Sequence, residues 1–315
     1  DLAMIYYVTT ERYSSTVRRF LAIYPHMRRR LASLTYEEIF FERAGPVGHY
    51  IFTDFDRLTS YEVGCAARYA AAVAAAAPDA RILNHPLRAL ERLPLLVALH
   101  RAGINDFAAV RLDAGERPPR YPVFIRAEDG YGAPETDLLA DDAAFDAACD
   151  AMRRRGLPLK GRIAVGYAAE KGADGFFRKY GAFNLGGTIV PYHLMLGPTW
   201  VVKRHVTDNE WIQAAPRWNA QDVGAVAEEL AYVRDNPHRD DLTRAFALAG
   251  IDFGRADYGV VGGRVQIYEI NVNPHVKFGR EHPVPKRVES YDVFRRNYLH
   301  ALKAIETPGV TARGG

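Results

Sequence analysis

Hydrophobic positions along the chain change period repeatedly, and those changes lay out its elements. Short apolar runs at 4–8 (MIYYV), 50–53 (YIFT) and 81–84 (RILN) read as strands, and the stretches 14–31 and 61–77 between them carry helical spacing. Strand and helix alternating in this order predict a small parallel α/β domain over residues 1–87. No G-x-G-x-x-G follows any of its strands, so it is not a dinucleotide binder of that kind. Downstream, 87–102 reads as a helix stopped by Gly103, 109–112 and 121–127 (YPVFIRA) as strands, 142–155 as a helix stopped by Gly156, and 161–168 as a strand. Two apolar segments, 176–185 and 188–196, are joined by Gly186-Gly187 as a hairpin, and 200–203 (WVVK) reads as one more strand. Residues 208–233 are polar and helical in parts, 239–249 is a helix ended by Gly250, 275–288 is a proline- and charge-rich loop, and 291–305 is a closing helix before a tail at 307–315.

The stretch 268–274 (YEINVNP) stands out in this pattern. Strand alternation puts Glu269, Asn271 and Asn273 on one side and Tyr268, Ile270 and Val272 on the other. Three oxygen-bearing side chains facing one way suit a hard cation such as Mg²⁺ better than they suit a core. Upstream, 256–261 is a second strand carrying Asp257, joined to the first through Gly262-Gly263. A two-residue loop would pair Val261 with Arg264 and set Asp257 opposite Tyr268, on the wrong face. A three-residue loop with a glycine bulge would pair Val261 with Val265 and set Asp257 opposite Glu269, which is the register a cation site requires.

Charge adds a second wall to this picture. Arg126, Lys179 and Lys203 all fall on expected strands, which is more cationic repetition than a solvated surface requires. The segment 128–134 (EDGYGAP) after the Arg126 strand is a glycine-containing loop in which Gly130 and Gly132 let backbone N–H groups approach a phosphate. The strand at 161–168 leads to Tyr167 and Glu170, where a nucleotide lobe would carry its base-facing hinge. There is no G-x-S-x-G elbow, and neither Cys65 nor Cys149 has an activating context, so no covalent nucleophile is expected. The two cysteines read as free thiols, and His275 and His282 do not have a zinc spacing.

Composition narrows the class. At 315 residues and 48% hydrophobic, the chain has enough length for two or three lobes. No apolar run approaches a membrane span, and the alanine-rich helix is interrupted by Arg68 and ends at Pro78. The opening residues lack a basic segment followed by an apolar block, so no signal peptide is expected and the expected location is cytoplasmic. A net charge of +3 gives no reason to expect nucleic acid as a partner; Arg18-Arg19 and Arg28-Arg29-Arg30 read as solvated helix faces.

A small α/β domain, then a lobe with a basic strand and glycine loop, then an acidic hairpin ending in E-x-N resembles the ATP-grasp superfamily, in particular its glutathione synthetase-like and RimK-like carboxylate–amine ligases. The resemblance covers nearly the whole chain and is strongest over 257–274 (DYGVVGGRVQIYEINVNP). It implies an ATP-grasp fold: two α+β lobes holding ATP, at 88–170 and 171–306, preceded by the parallel-sheet domain. It also implies ATP with one or two Mg²⁺ ions, or Mn²⁺ in their place, and Asp257, Glu269 and Asn271 as metal ligands. Arg126, Gly130, Gly132, Tyr167, Glu170, Lys179 and Lys203 would contact the nucleotide. Arg126, Lys179 and Lys203 would orient and neutralise the triphosphate, which gives Lys203 a catalytic part, and Arg178 or Arg280 would meet the substrate carboxylate or the charge developing near it. The implied reaction joins a carboxylate to an amine, each on a small molecule or peptide, through an acyl phosphate; a homodimer is compatible with it, and neither a membrane nor nucleic acid takes part. Two positions depart from the family pattern: Arg126 stands where lysine is usual, and the hinge offers only a displaced Glu170. A phosphotransferase acting on a hydroxyl and a non-catalytic ATP-binding module are the competing readings.

Overall fold

The computed structural model describes residues 4–41, 45–129, 132–202, 223–276 and 284–305. Lys203, Arg280, Gly130 and His282, together with the tail at 307–315, lie outside the described residues. The chain opens with β1 (Ile5–Thr9), α1 (Ser15–Ile23), β2 (Leu31–Thr35), α2 (Tyr36–Phe41), β3 (His49–Phe52), α3 (Ser60–Ala76) and β4 (Ile82–Leu83). The strands form one parallel sheet in the order β2-β1-β3-β4. Both faces of the sheet are buried, as a parallel sheet requires. Ile5, Tyr7 and Ile51 pack with Val17, Phe20 and Leu21 of α1, while Val8, Tyr50 and Phe52 pack with Ala66, Ala70 and Val73 of α3. Thr59 caps α3 in a reciprocal box with Glu62, satisfying two otherwise unpaired backbone donors.

The helix expected at 14–31 is shorter. It ends at Ile23; Pro25 opens a 3-10 turn through Arg29, and β2 and α2 follow. Proline has no N–H and its ring clashes with the carbonyl four residues back, so the apolar periodicity could not continue as one helix.

The middle of the chain contributes α4 (Arg92–Arg101), β5 (Ala109–Arg111), β6 (Val123–Ala127), α5 (Asp142–Arg154) and β7 (Arg162–Gly166). Its three strands form an antiparallel sheet, β5-β7-β6. One face is covered by Phe145, Cys149 and Met152 of α5, the other by Leu93 and Leu96 of α4. Cys65 and Cys149 are both free thiols.

The third part holds β8 (Phe177–Leu185), β9 (Thr188–Gly197), α6 (Val223–Asp235), α7 (Arg239–Ala249), β10 (Phe253–Val261), β11 (Arg264–Asn271) and α8 (Pro285–Ala304). Its sheet is antiparallel in the order β11-β10-β8-β9. The expected strand at 200–203 does not form over 200–202: β9 ends at Gly197, and Pro198, which has no N–H to donate to a ladder, begins a bend. The closing helix starts earlier than expected, with Pro285 in its first turn, where a missing N–H costs nothing. No helix among the described residues is long and apolar enough to cross a membrane.

Asn84 clamps the parallel sheet to the third part. Its side-chain amide donates to the carbonyls of Phe52 (3.0 Å) and Phe253 (2.7 Å), and its oxygen accepts from the N–H groups of Asp252 (2.8 Å) and Phe253 (2.9 Å). Asn273 makes a second clamp, accepting from the Tyr7 hydroxyl at 3.0 Å and donating to Asp54 at 2.9 Å.

The β10–β11 hairpin settles its register in an unexpected way. Its turn has two residues, with Gly262 and Gly263 both at positive φ (55° and 78°) and Val261 paired with Arg264. A β-bulge then intervenes: Tyr258 pairs with Ile267, but Asp257 pairs with Glu269, leaving Tyr268 as the extra residue. The three-residue turn is therefore wrong, while the Asp257–Glu269 pairing is present. Tyr268 and Glu269 consequently line the same cleft instead of facing opposite ways. Gly259 makes room for the bulge, because a Cβ there would sit 2.1 Å from the Tyr268 hydroxyl. Gly259→Ala is expected to destabilise the protein by about 1–3 kcal/mol through overpacking, checked by chemical denaturation; Gly262→Asn at the open turn should cost much less.

Candidate active site

A cleft of about 870 Å³, open to solvent, lies between the antiparallel sheets and is lined from both sides. β6 supplies Phe124 and Arg126; the segment after β7 supplies Tyr167, Ala168 and Ala169; β8 supplies Arg178 and Lys179; the hairpin supplies Asp257, Tyr268 and Glu269. One end is aromatic. Trp200 packs on Phe124 with ring centroids 4.9 Å apart and meets Tyr167 edge-on at 5.9 Å.

The other end is charged. Asp257, 4% exposed, is held by Arg255 (Nε to Oδ1, 2.7 Å) and by Lys179 (Nζ to Oδ2, 3.3 Å). Burial pushes its carboxyl up, but Arg255, Lys179 and His193 outweigh that and hold it well below the usual carboxylate range. Glu269 accepts from Arg92 Nη2 at 2.5 Å, and Arg92 also donates to the Glu128 carbonyl at 2.9 Å. Arg126 is the exception to this pairing. Its Nε is buried with no hydrogen-bond partner, and the hydrogen bond it makes among the described residues is a long one, from Nη2 to the Gly132 carbonyl at 3.5 Å. Burial, then repulsion from Arg92, pulls its pKa down to about 10, against the pull of Glu269. A guanidinium so placed calls for an anion.

The remaining expected residues fall differently. Arg178 lies on the cleft wall, but its guanidinium is shared between Glu228 (2.7 and 2.9 Å) and Asp174 (2.8 and 3.1 Å), and those hydrogen bonds raise its pKa further. Glu170 does not line the cleft; its carboxylate accepts the Gly262 N–H at 2.7 Å and ties the hinge to the hairpin turn. The Ala168 carbonyl accepts the Tyr268 hydroxyl at 2.7 Å. Asn271 pairs with Arg255 across the hairpin and lies in an adjoining pocket of about 580 Å³. That pocket shares Arg92 and Glu269 with the cleft and is also lined by Asp56, Glu91, Glu128 and Asp129. Burial raises the carboxyls of Asp56, Glu91 and Asp129, reinforced at Glu91 by Asp129 and Asp56 and at Asp129 by Glu128 and Asp56, and opposed at Asp56 by Arg57.

Sequence reasoning missed Arg92, Arg255 and the cleft role of Trp200. Arg255 was within reach of it, since it stands two residues before Asp257 on one strand and so shares its face. Arg92 begins a helix and gave no comparable signal.

The donor set is of the type a divalent cation takes: Asp257 and Glu269 are cross-strand neighbours on one cleft wall, and Asn271 lines the adjoining pocket. In this structure the two carboxylates hold Arg255, Lys179 and Arg92, and Asn271 Oδ1 accepts the Asn273 N–H at 3.0 Å, so a cation would have to compete with these partners.

No family model and no curated protein matches the sequence. Among solved structures, the ATP-grasp ligase PsnB, complexed with a phosphomimetic variant of minimal precursor, Mg and ADP, aligns over 96% of this chain and 98% of its own, with a TM-score of 0.50 and 10% identity. A D-alanine–D-alanine ligase from Bacillus anthracis complexed with ATP aligns over 96% and 99%, at a TM-score of 0.49 and 8% identity. A RimK domain ATP-grasp protein from Sphaerobacter thermophilus aligns over 96% and 98%, at 0.49 and 13%. The chain has the ATP-grasp fold.

Proposed function

We propose that the chain is an ATP-dependent carboxylate–amine ligase that works through an acyl phosphate. The observation that carries this reading is Arg126, a half-buried cation with an unpartnered Nε and no ion pair among the described residues, in the same cleft as the carboxylate pair Asp257–Glu269. The triphosphate is the anion that Arg126 lacks, with Lys179 beside it. The base lies toward Trp200, Phe124 and Tyr167, where the backbone of 167–169 forms the edge of the cleft. Asp257, Glu269 and Asn271 would hold Mg²⁺, which when bound would supply neutralisation of phosphate charge. The adjoining pocket, reached past Arg92 and Glu269, takes the substrates. There a carboxylate oxygen attacks the γ-phosphorus, and the bond to the β-phosphate oxygen breaks to release ADP. The amine nitrogen then attacks the acyl carbon; the C–N bond forms, the C–O bond to phosphate breaks, and phosphate leaves with the amine proton. The chain's own groups position these reactants and balance charge, and none forms a covalent bond.

Hydroxylamine tests the reading directly, because it converts an acyl phosphate to a hydroxamate. With ATP, Mg²⁺ and a panel of carboxylates, ADP and hydroxamate are expected in equal amounts. ADP formed with phosphorylated alcohol and no hydroxamate would establish a phosphotransferase instead.

Arg126→Met separates nucleotide binding from folding. The KM for ATP is expected to rise about tenfold to a hundredfold through loss of charge-assisted hydrogen bonds. The nucleotide-free protein should melt at a slightly higher temperature, because a half-buried charge with an unpartnered Nε is removed. Steady-state kinetics and calorimetry check the two parts.

A further inference from the structure

Asn84 and Asn273 both clamp the parallel sheet to the third part of the chain, but they lead to different places. The partners of the Asn84 side chain are Phe52, Asp252 and Phe253, none of which lines the cleft or the adjoining pocket. Asn273 lies two residues beyond Asn271, which lines that pocket, and its backbone N–H donates to Asn271 Oδ1 at 3.0 Å. An asparagine side chain bonded to the N–H two residues on closes an Asx turn, so the backbone of Asn273 sets the direction of the Asn271 amide. An amide oxygen has two lone pairs; the turn contests one of them with a cation and leaves the other.

Asn273 is itself held from the other domain. Its side chain is buried; Oδ1 accepts the Tyr7 hydroxyl at 3.0 Å, and Nδ2 donates to Asp54 Oδ1 at 2.9 Å and to the Tyr13 carbonyl at 3.4 Å. A donor on the oxygen side and acceptors on the nitrogen side allow the amide a single orientation. Asp54, 1% exposed, is fixed in turn, since its Oδ2 accepts both the N–H (3.0 Å) and the hydroxyl (3.2 Å) of Thr10. Its backbone is left-handed, at φ 56° and ψ 31°, and a residue with a Cβ stays there where the surrounding contacts over-determine it. β1 thus reaches Asn271 through Tyr7, and the turn after β3 reaches it through Asp54, with Asn273 as the shared link.

We propose that Asn273 is a positioning residue for the divalent-cation site, through which the parallel-sheet domain aims the Asn271 amide. The proposal rests on the reading above for Asn271 as a ligand, and it concerns affinity for the cation, not the reaction. Groups that hydrogen-bond a metal ligand change metal affinity about tenfold to a hundredfold when removed. A clamp that served folding alone would lower stability on removal and leave that affinity unchanged, as Asn84 should.

The test is a titration of Mn²⁺ into the full chain with saturating ADP, in which enhanced water-proton relaxation reports the ternary complex and no turnover takes place. The parent chain should form this complex. Asn273→Ala should weaken Mn²⁺ binding about tenfold, and Tyr7→Phe, which removes one hydrogen bond from the Asn273 oxygen, about threefold. Asn84→Ala should lower the melting temperature at least as much as Tyr7→Phe, yet weaken Mn²⁺ binding less than about twofold. Should Asn273→Ala not fold, Tyr7→Phe against Asn84→Ala decides. A parent that forms no ternary complex overturns the proposal, as does an Asn84→Ala variant that loses as much Mn²⁺ affinity as Tyr7→Phe. So does binding within about 1.5-fold of the parent by Tyr7→Phe and by Asn273→Ala where it folds. Hydroxamate formation alongside normal Mn²⁺ binding by Asn273→Ala would sink this proposal and leave the ligase reading standing. A chain that shows the expected Mn²⁺ pattern but yields no hydroxamate would do the reverse.

Discussion

Asp257→Asn is expected to cost about 3–5 kcal/mol of stability, because it removes a buried carboxylate and leaves the part-buried Arg255 and Lys179 facing a neutral amide. The same replacement at an exposed metal ligand would leave the fold nearly intact. Burial changes the expectation, since the carboxylate is the counter-ion of two cations as well as a proposed ligand. The effect has a pH signature. The folded carboxyl lies below its unfolded value, so its stabilisation is complete above about pH 4 and is lost as pH falls through the folded value. Denaturation of the parent and Asp257→Asn proteins should therefore show a constant gap from about pH 5 to 8 that narrows below about pH 4. A gap under about 1 kcal/mol at neutral pH would show that Asp257 is no more than a surface partner of its cations.

Glu269→Gln is expected to separate activity from stability in the opposite sense. Its only ion-pair partner among the described residues is Arg92, and its side chain is 26% exposed, so loss of the charge should change stability by no more than about 1 kcal/mol. Turnover should fall about a thousandfold, equivalent to roughly 4 kcal/mol of lost transition-state stabilisation. The measurement is hydroxamate formation against Mg²⁺ concentration, with thermal melting alongside. Near-normal turnover in this variant would remove Glu269 from the proposed metal site.

Much of the fold was legible in the sequence because its long elements carry clean periods. The two glycine-turned hairpins, α3 with its capping box and the glycine-stopped α4 and α7 follow from local rules alone. β2 was not legible: Leu31 to Thr35 has neither a β-branched core nor turn residues on both flanks, and its strand conformation comes from pairing with β1. The site divides in the same way. Asp257 and Glu269 could be found because strand alternation is local. Arg92 could not, since it reaches Glu269 across 177 residues of chain, and neither could the diversion of Glu170 to Gly262 or of Arg178 to Glu228. Long-range partners decide whether a charged side chain is available to a ligand.

The extra residue in β11 has one more consequence. If side-chain direction along the hairpin is treated as a wave of period two, Tyr268 inserts a half-period phase slip. From the turn to Ile267 the wave is set by the core; from Tyr268 onward it is set by the cleft. A chain lacking Tyr268 would keep its turn and its core in step and send Glu269 and Asn271 to the wrong face. The spacing between the glycine turn and E-x-N is thus fixed in parity as well as in length.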